Sequence, residues 1–334
     1  MLRIRFAAGL LAALALAPAA AGGTPLDTLV AAERAFSALS VEKGMKEAFL
    51  GNLARDAVVF RPRPVNGVNV WRARTNPAAT LIWTPDFAEI SGDADLGVTS
   101  GPWEFRPAPE RNQPTAYGHF NTVWRRDQDG AWKVAADIGV AHDKPATSLD
   151  AVELTRGPDH PKPEPLPPDF GSLSYGGGAF HGGGVGFRGG GISIAGGGPG
   201  YVPLADRLMA QAVTGMMTAE RELVFVTRNQ GAERAYAQNA ADDVRVFRED
   251  HAPMVGLAAS ASALAKRSRR VEIVPDRHGM ASSRDLGYSY GLLVSRPTAS
   301  ARPDTVSYLH VWRRLGDGPW KLALDVENEF PKRK

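Results

Sequence analysis

The chain has 334 residues, 43% of them hydrophobic, with a formal charge of +3 and no cysteine. That length suits about two domains, and the composition supports packed cores rather than a disordered chain. Without cysteine there is no disulfide framework, thiol nucleophile or thiolate metal site, and so small a net charge falls short of the basic footprint that nucleic-acid binding needs.

Arg3 and Arg5 precede an apolar run from Phe6 to Ala17, and Ala19-Ala20-Ala21 follows before Gly22. This is the layout of a secretory signal peptide over residues 1–21. It predicts cleavage after Ala21 and a periplasmic or secreted protein. The run is shorter than the roughly 20 residues of a bilayer span, and no later segment is long and apolar enough, so no membrane span is expected after signal removal.

Thr24-Pro25-Leu26-Asp27 reads as a helix start, with Thr as N-cap, Pro at the first helical position and an acid in the first turn. Leu29, Ala32, Phe36 and Leu39 then recur at helical spacing. Gly44 separates a second helix, with Met45, Ala48, Phe49 and Leu53 on one face and Asp56 expected to close it. Val58-Val59-Phe60 predicts a short strand. A loop with Pro62 and Pro64 follows, then strands over Leu81–Ile90, Leu96–Phe105, Tyr117–Arg125 and Trp132–Val140. Trp132, Val134, Ala136 and Ile138 alternate with Lys133, Ala135 and Asp137, the pattern of a half-buried antiparallel strand.

Residues 143–200 read as a linker, expected to be disordered. Its first part is proline-rich up to Pro168 and favours extended polyproline II. Gly171 to Gly200 is dominated by glycine, which cannot bury enough apolar surface to offset its ordering entropy.

The chain repeats itself. Ala32 to Arg61 aligns without a gap on Ala219 to Arg248, identical at Ala32, Glu33, Arg34, Gly44, Ala48, Asn52, Ala54, Asp56, Val59, Phe60 and Arg61. Pro85-Asp86 and Asp95-Leu96-Gly97 return as Pro275-Asp276 and Asp285-Leu286-Gly287. Val123 to Arg126, Gly130, Trp132-Lys133, Ala135 and Asp137 return as Val311 to Arg314, Gly318, Trp320-Lys321, Ala323 and Asp325. Two copies of one domain, over 24–142 and 201–334, are therefore expected.

Helices followed by a run of strands predict an α+β domain with helices packed on one face of a curved antiparallel sheet. Ala32-Glu33-Arg34-x-Phe36, Phe49 to Phe60 with Asp56, Asp95-Leu96-Gly97-x-Thr99-x-Gly101, Val123-Trp124 and Gly130-x-Trp132-Lys133 resemble the SnoaL-like, nuclear-transport-factor-2-like superfamily. The resemblance covers both copies and implies two tandem domains, each with a cone-shaped pocket between helices and sheet. It also implies pairing of the sheets, within the chain or in a homodimer. The superfamily includes ketosteroid isomerase, polyketide cyclases and dehydratases as well as proteins without known catalysis, so the resemblance does not choose an activity.

The histidines are scattered without metal-ligand spacing, so no metal site and no cofactor are expected. Arg61 and Arg248 could hold a carboxylate at a pocket mouth, or serve structural salt bridges. Asp137 and Asp325 could act as general bases in a partly apolar pocket, or form ion pairs. An acid/base set could join Asp137 to His119 or Tyr117, and Asp325 to His310 and Tyr288. Trp83, Trp103, Trp124, Tyr290 and Trp312 could line pockets, or pack in the core. The leading expectation is an exported binder of a small, partly apolar molecule. A proton-transfer enzyme and a non-catalytic scaffold are the alternatives.

Overall fold

A computed structural model describes residues 23–75, 78–107, 113–167, 202–296, 298 and 300–330. The expected signal and the later part of the linker lie outside them. In the first half, α1 (Pro25–Lys43) and α2 (Met45–Asn52) lead into β1 (Leu53–Phe60), β2 (Pro64–Asn66), α3 (Gly67–Ala73), β3 (Thr80–Trp83), β4 (Phe87–Ile90), β5 (Leu96–Arg106), β6 (Ala116–Arg126) and β7 (Trp132–His142). A short strand β8 (Thr155–Arg156) follows. The second half runs α4 (Leu204–Gln230), α5 (Ala232–Asn239), β9 (Ala240–Phe247), β10 (Met254–Val255), α6 (Leu257–Ala265), β11 (Val271–Met280), β12 (Leu286–Ser295), β13 (Asp304–Arg313) and β14 (Lys321–Glu329).

Local chemistry sets the helix starts and breaks. The Thr24 hydroxyl accepts from the Asp27 amide while the Asp27 carboxylate accepts from the Thr24 amide, a reciprocal capping box. Gly44 and Gly231 adopt φ of 89° and 98° at the α1–α2 and α4–α5 breaks, a region that only glycine enters without strain. The helix α3 was not expected after the proline loop. The Asn66 side chain caps it by accepting from the Asn69 amide, 2.9 Å away.

The sheet orders are β2-β1-β7-β6-β5-β4-β8, with β3 also on β5, and β10-β9-β14-β13-β12-β11. Neither sheet is purely antiparallel as expected. In each half a helix pair precedes the strand that docks beside the last one, so β1 runs parallel to β7 and β9 parallel to β14; β8 also runs parallel to β4. The expected strand Leu81–Ile90 is interrupted at Thr84–Asp86, where Pro85 has no amide to give to a ladder.

A bulge in β7 changes which side chains share a face. The register against β6 shifts between Val123 and Trp124, so Trp132 and Val134 pack toward the helices, whereas Ala136, Ile138 and Val140 pack on the opposite face. The single face expected for Trp132, Val134, Ala136 and Ile138 is thus split. Asp137 is re-aimed to the helix side, as bulges do. The same shift occurs between Val311 and Trp312 in the second half, with Leu322 and Leu324 on different faces.

Helices pack on one face of each sheet. The far faces share one apolar cluster, in which Val58, Phe60, Ile138 and Val140 meet Phe247, Tyr288, Tyr290 and Val326. Two matching turns cross-link it. The Gly92 amide donates to Asp285 and the Ser282 amide to Asp95, each at 2.9 Å. Ala94 and Arg284 take matching left-handed conformations, with φ of 56° and 61°. Asp95 and Asp285 therefore recur because each ties down the other half's turn. Asp56 and Asp243 lie in β1 and β9 rather than closing a helix, and pair with Arg125 and Arg313.

The first part of the expected linker is ordered along the first half. The Thr155 and Gly157 amides donate to the Asp86 and Ala88 carbonyls, extending the sheet beyond β4. The fully buried His160 side chain then sits between Glu89 and Asp285, 2.8 and 3.2 Å away. This fixes the chain from 155 to 160, where disorder was expected.

Candidate functional site

Between the helices and the sheet of the first half lies a cavity of about 360 Å³, within the range of small-molecule sites. Its wall is largely aromatic. Phe36 from α1 meets Phe49 and Trp83 edge-on, with centroids 4.9 and 4.8 Å apart, and Trp71 from α3 stacks on Phe49 at 4.1 Å. Trp103 from β5 completes the wall. Its indole lies over Gly118, where an added Cβ would sit 2.4 Å from the ring, and beside Gly139. The second half has Leu293 at the place of Trp103, and Val306 and Glu327 at the places of the two glycines.

Three charged side chains of this half line the wall: Asp137 from β7, Arg61 just past β1 and Arg74 just past α3. Burial pushes the Asp137 carboxyl above the usual range, while a hydrogen bond from the Thr122 hydroxyl, 2.9 Å away, and the Arg61 charge pull it back in part. Burial lowers the Arg61 guanidinium somewhat. Glu249 and Asn328 of the second half also border the cavity, and the Asn328 amide donates to the Gly139 carbonyl at 2.6 Å.

Behind the aromatic wall is a carboxyl that did not stand out as a candidate. Glu33 is fully buried and accepts from Trp83 Nε1 at 2.6 Å, Thr99 Oγ1 at 2.5 Å and Trp124 Nε1 at 2.8 Å. Burial raises it to about 7, against those three hydrogen bonds and with Asp137 adding to the rise. The signal was available: Glu33 is four residues after Leu29 and three before Phe36, on the apolar face of α1, and recurs as Glu220.

The second half spends the same space differently. Tyr236 replaces Phe49 and His310 replaces Thr122. His310 stands between Glu220 and Asp325, 3.5 and 3.3 Å away. Burial would lower its imidazole, but the flanking carboxylates outweigh that and push it up to about 9. Asp325 also receives Arg248 and the Tyr236 hydroxyl, while Arg248 and Arg267 both meet Glu327. Despite full burial, Arg248 and His310 hold the Asp325 carboxyl well below its usual range. A carboxylate so paired is a poor proton acceptor at neutral pH.

Four of the expected site residues, Asp137, Arg61, Trp83 and Trp103, line one cavity. The others do not join them. His119 and Tyr117 alternate with Phe120 and Thr122 on β6, and so lie across the sheet from Asp137. His119 instead contacts His142 at 2.7 Å and Asp86 at 3.2 Å. Tyr288 and Tyr290 belong to the cluster between the sheets, across from Asp325 and His310. Trp124 and Trp312 are fully buried core residues, and Arg248, His310 and Asp325 form the ion network. Of the two expected acid/base sets, His310 does meet Asp325, but Tyr288 lies on the other face of the sheet, and neither His119 nor Tyr117 meets Asp137. Among the described residues, no group of three or more His, Cys, Asp or Glu side chains is placed to hold a metal ion.

No family model matches the sequence, and no curated protein matches it. Solved structures similar to it include a ketosteroid isomerase-like protein from Erwinia carotovora atroseptica, with a TM-score of 0.30 and 13% identity, covering 36% of this chain and 98% of that one. A nuclear-transport-factor-2-like protein of unknown function from Pseudomonas putida gives 0.31 and 14%, covering 37% and 91%. An LEH-like epoxide hydrolase from M. tuberculosis gives 0.27 and 14%, covering 35% and 79%.

Proposed function

We propose that the first half binds a small, mostly apolar molecule in its aromatic cavity, with the molecule's polar end at Asp137 and Arg61. The observation that carries this reading is the contrast between the halves. The repeat with Trp103 over paired glycines has a cavity, and the repeat without them fills the equivalent space with charges. Aromatic walls supply affinity through buried area, and the two polar groups fix orientation.

The same reading takes the chain as two tandem SnoaL-like domains exported by a cleavable signal. The internal repeat and the matching order of elements support the first part, and the N-terminal sequence supports the second. A proton-transfer role is the second reading, favoured by one observation: Asp137 is raised by burial inside the cavity. Asp137 would then work without His119 or Tyr117.

Native mass spectrometry of the protein recovered from the periplasm tests the binding reading, together with indole fluorescence against apolar candidates. The expected result is a bound small mass whose affinity falls about ten-fold or more in Trp103→Leu, since an aromatic wall contributes roughly 1.5–3 kcal/mol. Binding that ignores Trp103→Leu would place the ligand elsewhere. The same spectrum reads whether residues 1–21 have been removed.

A further inference from the structure

A second concave surface, sharing no lining residue with the aromatic cavity, lies between α4 and β11. Two adjoining hollows of about 510 and 640 Å³ share Arg228, Asn229 and Glu272 as lining. One end is lined by Val224, Phe225 and Ile273 together with Arg221. The other is lined by Arg269, Arg270 and Arg296. Arg270 precedes the first residue of β11 and Arg296 follows the last residue of β12, and the Arg296 amide donates to the Arg270 carbonyl. Arg228, Arg269, Arg270 and Arg296 form no ion pair among the described residues, and Glu272 is the one acid in the lining.

The groove is particular to this half. In the first half Ser37 and Ser40 of α1 donate to the Trp83 and Leu81 carbonyls, closing helix onto strand. At the equivalent places α4 has Val224, which has no hydroxyl, and Thr227, which donates to Leu223 of its own helix. The basic residues are also new: Arg228, Arg269 and Arg270 stand where the first half has Val41, Ala79 and Thr80, and Phe225 stands where it has Ala38.

We propose that this groove docks the protein on an anionic lipid surface, with Arg228, Arg269, Arg270 and Arg296 on the headgroup phosphates and Phe225 in the headgroup–acyl boundary. Guanidinium forks match phosphate oxygens. Phe225 is 59% exposed between Arg221 and Arg228, and Val274 on β11 is 47% exposed. A free phosphate has no use for this apolar end. Charge beside an exposed apolar residue is the combination that binds a membrane interface. The contact is peripheral, since no helix among the described residues is long and apolar enough to cross a membrane.

Co-sedimentation of the full chain with vesicles tests this. Binding is expected to phosphatidylcholine vesicles containing phosphatidylglycerol, to weaken with added salt, and to be absent on phosphatidylcholine alone. Replacing Arg269 and Arg270 together by Gln is expected to cost about 30-fold, at about 1 kcal/mol per basic residue near such a surface. Phe225→Ser is expected to cost about ten-fold or more while leaving the salt dependence unchanged. All three side chains are exposed, so thermal melting should show the variants folded. Equal binding to neutral vesicles, or insensitivity to both variants, would overturn the proposal. So would capture of polyphosphate or single-stranded DNA through these arginines with no vesicle association.

Discussion

Thr122 and His310 occupy equivalent positions on β6 and β13, and the difference is one of those that set the state of the carboxylate beside each. A hydroxyl leaves Asp137 without a cation in hydrogen-bonding contact, so burial raises it. Arg248 and then the His310 imidazolium tie Asp325 down. Thr122→His should therefore lower Asp137 and weaken ligand binding, as followed by carboxyl-carbon NMR across a pH titration. An unmoved Asp137 would show that Thr122 does not govern it. Glu33 makes a separate prediction about stability. Its folded value of about 7 lies above that of an unfolded glutamate, near 4.3. The folded state thus holds the proton more tightly, and stability declines as pH rises between those values. The full effect is roughly 3–4 kcal/mol, and Glu33→Gln should flatten the slope between pH 4.5 and 7 in denaturant melts.

The bulge in β7 and the short helix α3 show where sequence patterns ran out. Periodicity located α1, α2 and most strands, because capping residues and alternation act over a few neighbours. A bulge depends on pairing with a distant strand, so strict alternation put Asp137 on the face opposite Trp132. It likewise let His119 and Tyr288 be counted with the wrong carboxylates. Gly67–Ala73 has only two turns, too short for a periodic signal, yet it brings Trp71 into the cavity wall. The proline-rich stretch around His160 gave no sign of docking, since composition alone does not show that one histidine will find two buried acids. Breaking a buried ion pair costs about 3 kcal/mol or more, so His160→Ala should lower the melting temperature clearly. Its imidazole would be lowered by burial, but Asp285 and Glu89 push it up to about 9. The contribution is therefore complete below the unfolded value near 6.5 and lost as pH rises through about 9. An unchanged melting curve at pH 7 would mean that the strap adds nothing.

At the scale of the molecule, the two sheets bury their far faces against each other and exchange matching contacts through Asp95 and Asp285. Each half alone would expose an apolar face large enough to promote association. A protease site placed within 168–200 should, once cut, leave fragments that travel together on a sizing column under native conditions. Fragments that separate and stay soluble would mean that the shared cluster is dispensable. The cavity depends on the same arrangement, because Glu249 and Asn328 reach its border from the other half. Whatever fills it touches both repeats at once. By mass action, such an occupant favours the docked state in proportion to the logarithm of its concentration over its dissociation constant. The filled repeat then serves the open one as a built-in subunit, and cargo and cohesion become two readings of one equilibrium.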